Sequence, residues 1–137
     1  MITEDYPRRQ GMTVTEDYVS FEIVKLLKEK GFDTGVRYFY QKIGDDITYH
    51  IGDFRNWNAH GMWYSIPTLQ MAMKWLREVH ELYIEVSLSC DRENSNTKIF
   101  DASIFNLQNQ RYKKLGNIQG YEAACEAAIK YCLENLI

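Results

Sequence analysis

Apolar positions recur along this chain with two different periods. Between Ser20 and Gly31 the residues Phe21, Ile23, Val24, Leu26 and Leu27 fall at helical spacing, which predicts a helix over 20–30 with one buried stripe. Ser20 is placed to accept a hydrogen bond from an early backbone N–H, Glu22 suits the positive helix end, and Gly31 supplies a left-handed stop after Lys28 and Lys30. The period then changes to two. In VRYFYQKIGDDITYHIGDF, aromatic and β-branched runs flank Gly44-Asp45-Asp46, the pattern of a hairpin. Val36, Tyr38 and Tyr40 would share one face of its first strand, and Ile47, Tyr49 and Ile51 one face of its second.

Helical spacing returns after Ile66-Pro67-Thr68, where proline holds Ile66 extended and Thr68 caps a helix carrying Leu69, Ala72, Met73, Leu76 and Val79. LYIEVSLSC alternates strictly, with Leu82, Ile84, Val86, Leu88 and Cys90 inward. DRENSN reads as a polar turn, TKIFDASIFNL as the next strand, and Arg111 to Leu115 as a short additional one. A last helix runs from about Gly120 to the C-terminus. The positions Ile66, Leu69, Ala72, Met73 and Leu76 have counterparts 52 residues later at Ile118, Tyr121, Ala124, Cys125 and Ala128, which suggests a faint internal symmetry. The order α-ββ-α-ββ-α predicts an α+β fold: one antiparallel sheet of four or five strands, with three helices mainly on one face. TEDY occurs at 3–6 and again at 15–18; residues 1–17 are expected to form an N-terminal arm, and 18–137 a single domain.

Composition narrows the classes. With 45% hydrophobic and 26% charged residues the 137-residue chain lies in the globular range. No window is apolar over the ~18 residues a membrane span needs, and the start lacks the apolar run of a signal peptide, so the expected location is the cytoplasm. Cys90, Cys125 and Cys132 are read as buried free thiols, since none sits in a CxxC hook.

Three stretches carry the resemblance the chain has to other proteins. YVSFEIVKLLKEKGF (18–32), PTLQMAMKWLREVH (67–80) and YEAACEAAIKYCLENLI (121–137) resemble a group of small uncharacterised proteins of gut-bacterial genomes, many of them in prophages or other mobile elements. The resemblance covers roughly 18–137. It implies a bacterial, phage-linked setting and brings no catalytic residue with it.

Reactive chemistry is sparsely signalled. His50, His60 and His80 with Asp53 lack the spacing that preorganises a metal site, so no metal and no cofactor are expected. Asp53 with Glu85 is the one carboxylate pair that could serve as acid and base, and Asp45, Asp46 and Asp53 suit turns better. GxSxG, GxGxxG and GxxxxGK[ST] are all absent. Arg111, Tyr112, Lys113 and Lys114 form the best basic patch, although a net charge of −3 weighs against nucleic acid and lysines on an edge strand deter aggregation.

Surfaces for binding stand out more. Phe39, His50, Tyr83, Ile99 and Phe105 are expected on the sheet face that helices leave open. Beside them RNWNAHGMWYS (55–65) concentrates aromatics in a loop. Trp63 is expected inward as a lid and Trp57 outward beside His60 as a contact residue. The leading expectation is a non-enzymatic accessory protein of a mobile element or prophage, acting through protein contacts and pairing with a second copy. A nucleic-acid-binding regulator is the alternative, and an enzyme of unidentified type stands third.

Overall fold

The computed structural model describes residues 15–89 and 98–137. Most of the expected arm, together with Cys90 and the DRENSN turn, lies outside the described residues. The elements run α1 (Phe21–Glu29), β1 (Val36–Ile43), β2 (Asp46–Arg55), a 3-10 turn (Trp57–Ala59), β3 (Trp63–Ser65), α2 (Leu69–His80), β4 (Leu82–Leu88), β5 (Ile99–Asn106), β6 (Tyr112–Gln119) and α3 (Tyr121–Asn135).

The local signals for the helices hold. Ser20 Oγ accepts from Ile23 N and Thr68 Oγ1 from Met71 N, so both helices are capped as their sequences predict. Ser20 has a second task as well. Its N–H and its hydroxyl both donate to the Glu126 carboxylate, at 2.8 and 2.9 Å, which ties the start of α1 to α3. Lys130 adds an ion pair to Glu22 at 3.0 Å. Segment 17–19 is fastened to the start of α2 by Val19 N–Pro67 O and Leu69 N–Asp17 O bonds.

The sheet differs from the expectation. Six strands form two three-stranded antiparallel sheets, ordered β2-β1-β3 and β4-β5-β6, in place of one sheet of four or five strands. β3 is only three residues long, too short to show a period, and its partner Phe39–Gln41 lies over 20 positions earlier. Each half now reads as three strands and a helix, yet β1 is central in one sheet and β5 in the other. The 52-residue correspondence therefore relates the helices and not the sheets.

Helix α3 lies across β4, β5 and β6 and also touches α1 and α2, while α2 packs on β4 and α1 on β3. Its buried Ala124, Cys125, Ala128, Ile129, Cys132 and Leu133 meet Ile23, Val24 and Leu27 of α1 and Leu76 of α2 in one core. The small residues let the helices approach closely. Burial pushes the Cys132 thiol up to about 12 and also raises Cys125, so both remain protonated and unreactive. Among the described residues no helix is long and apolar enough to cross a membrane.

Candidate interaction surface

The aromatic loop folds back on its own sheet. Trp57 is only 5% exposed; its Nε1–H donates to Val36 O at 2.7 Å, and its ring stacks on Phe39 at 3.8 Å and 16°. Gly52 makes this seat possible, because a Cβ there would stand 2.8 Å from Trp57 Cζ2. Trp63 meets Trp57 edge-on at 5.2 Å but is only half-buried. The expected roles of the two tryptophans are thus reversed. A buried indole needs a partner for its N–H, and Val36 O provides it to Trp57.

The loop is tied from below as well. Lys28 Nζ donates to the carbonyls of His60, Gly61 and Trp63 at 2.6, 3.2 and 2.6 Å and lies 4.4 Å from the Tyr64 ring centroid. Partial burial lowers the pKa of this ammonium. Asn58 and Ser65 exchange two hydrogen bonds, and Asn58 Nδ2 reaches Phe32 O at 3.0 Å. By its position in the sequence Lys28 is a helix-end charge. Its contact with a loop 32 positions away has no local signal.

The residues expected on one open face are divided. Phe39 shares a face with His50 as expected, yet it is only 8% exposed because Trp57 of the loop stacks on it. His50 is half-buried, stacked on Phe39 at 5.3 Å, with Nε2 2.7 Å from Thr48 Oγ1. Tyr83, Ile99 and Phe105 belong to the other sheet. There Tyr83, Phe105 and Tyr112 form a cross-strand aromatic row, the last two stacked at 5.1 Å. His60 is exposed with its ring against Trp63, and His80 packs on Trp75, so the three histidines occupy three separate environments. Asp53 pairs with Arg55 at 3.1 Å, which lowers its pKa, and Glu85 lies on the other sheet, so the two carboxylates form no pair.

The basic stretch is divided too. Lys113 sits 5.4 Å from the Tyr131 ring centroid, Lys114 pairs with the buried Asp101 at 3.4 Å, and Tyr112 stacks on Phe105. Asn117 N–H holds the same Asp101 carboxylate at 3.0 Å and lowers its pKa, so Lys114 completes a β-bulge support. Arg111 is exposed beside them.

The face of β2 that its alternation presents as inward, Ile47, Tyr49 and Ile51, is exposed. Tyr49 is 60% exposed, Ile51 56% and Ile47 43%, and the neighbouring Phe54 and Ile43 are exposed as well. Within β2 only His50 and Gly52 are half-buried. β2 is also an edge strand of its sheet among the described residues. Ile43 pairs with Asp46 across a two-residue turn, then Gln41 with Thr48 and Phe39 with His50. Antiparallel bonding alternates, so the backbone groups of Asp46, Thr48 and His50 face β1 and those of Ile47, Tyr49 and Ile51 face outward. On the far side of β1, Lys42 N–Met62 O at 2.8 Å and Ile66 N–Tyr38 O at 2.9 Å follow the same alternation.

Comparison of the chain with family models, curated proteins and solved structures returned no match.

Proposed function

We propose that the chain is a protein-interaction module and that the outer edge of β2 is its docking site. The observation that carries this is the exposure of Ile47, Tyr49 and Ile51 on a strand whose outward backbone groups have no strand beside them among the described residues. Such an edge binds another chain by adding a strand: backbone hydrogen bonds supply affinity and alternate side chains supply selectivity. Edges that must stay single carry deterrents. β6, the corresponding edge of the second sheet, has Lys113, Lys114 and a register shift, whereas Ile47–Ile51 contains no lysine, arginine, carboxylate or proline. In the setting that the resemblance implies, this is a non-enzymatic accessory protein of a bacterial mobile element or prophage. The nucleic-acid reading has less behind it, since Lys113 and Lys114 are engaged with Tyr131 and Asp101.

A benzophenone amino acid placed at Tyr49 in the full chain tests the docking edge by photocrosslinking in cells, with the same group at the exposed Glu134 of α3 as the comparison. Expected is a protein adduct of discrete mass from position 49 that disappears when Ile51→Lys is added. Identical adduct patterns from the two positions would refute a docking role for β2.

A further inference from the structure

We propose that the strand added to this edge is β2 of a second copy of the chain, paired antiparallel about a two-fold axis at Tyr49. The inference rests on the reading of β2 as a docking edge and names its occupant. The first support is pattern. Ile47-Thr48-Tyr49-His50-Ile51 is a palindrome of apolar and polar positions, so reversing the strand about Tyr49 sets Ile47 against Ile51 of the second copy and Tyr49 against itself. Ile47, Tyr49 and Ile51 are also the residues whose backbone groups face outward, and that alignment bonds each N–H and C=O to its counterpart.

Charge is the second support. The turn end of the hairpin carries Lys42, Asp45 and Asp46, one cation with two anions. The opposite end carries Arg37, Asp53 and Arg55, two cations with one anion. Antiparallel self-pairing brings the net-negative end of one copy beside the net-positive end of the other. A parallel arrangement would set like beside like.

The third support is the neighbourhood of Tyr49, whose ring lies 5.8 Å from Tyr38 and 6.2 Å from Tyr40. Two such clusters meet across the axis on one face of a continuous six-stranded sheet. Ile47, Tyr49 and Ile51 expose on the order of 300 Å² per copy, less than the roughly 800 Å² per partner of a standard interface. The dimer is therefore reversible and dissociates on dilution.

Sedimentation velocity of the full chain over a rising concentration series tests the proposal, and the sedimentation coefficient should climb with concentration. Tyr49→Lys sets two lysines face to face and should weaken association at least about tenfold. The fold should survive, as read by circular dichroism, because Tyr49 is mostly exposed. In a Cys90→Ser background, mild oxidation of Tyr49→Cys should give a disulfide-linked dimer, since directly opposed, hydrogen-bonded Cα atoms lie about 5.5 Å apart. Asp46→Cys should not, because the axis separates its two copies by about 20 Å. A chain that stays monomeric at every concentration overturns self-pairing and leaves the photocrosslinking result to judge the docking edge. A dimer that persists in Tyr49→Lys, or links at Asp46→Cys as fully as at Tyr49→Cys, overturns it by locating the contact elsewhere.

Discussion

Trp57→Ala is expected to destabilise the fold by about 3 to 5 kcal/mol in urea denaturation followed by circular dichroism. Three losses combine in that figure. The ring leaves the stack with Phe39 at 3.8 Å, Val36 O loses the indole N–H, and Phe39 is uncovered on the face that the loop seals. A buried carbonyl deprived of its donor adds a desolvation cost to the cavity. Trp63→Ala should cost less, about 1 to 2 kcal/mol, because Trp63 is only half-buried. If Trp63 proved the more damaging site, the loop would be seated by Trp63 and the geometry described for Trp57 would be wrong.

Leu76→Ala should cost about 2 to 5 kcal/mol by the same measurement. Leu76 has no exposed surface and closes the buried stripe formed with Leu69, Ala72, Met73 and Trp75. α2 touches both β4 and α3, so the space left by the side chain is walled by separate elements that cannot all close on it. A change below about 1 kcal/mol would mean that α2 does not pack as described.

Those two residues also mark where local reading succeeds and fails. Leu76 was legible because helical spacing and a Thr68 cap are properties of adjacent residues, and the same is true of Ser20 and α1. The hairpin turn was legible for a like reason: Gly44, at φ +60°, supplies a conformation that few other residues adopt. Trp57 was misread because its environment is made by Val36, Phe39 and Gly52, none of which announces itself within the loop. Phe39 is on the face its alternation implies, beside His50, but the Trp57 ring that covers it comes from a loop later in the chain and leaves no signal within the strand.

The division into two sheets was illegible for a different reason. Alternation tells which residues share a face of a strand, but it is silent on which strand lies beside which. Ile47, Tyr49 and Ile51 alternate as core residues do, and only the edge position of β2 turns that face into exposed surface. An apolar strand face is indifferent to whether its cover comes from the same chain or from another.

Amide hydrogen exchange in dilute solution, resolved residue by residue along β2, tests the open edge most directly. Thr48 and His50, bonded to β1, should exchange slowly, and Ile47, Tyr49 and Ile51, whose N–H groups face outward, should exchange far faster at neighbouring positions of the same strand. Equal protection at all five positions in the dilute chain would contradict the account, because the edge would already be covered and no strand could be added to it.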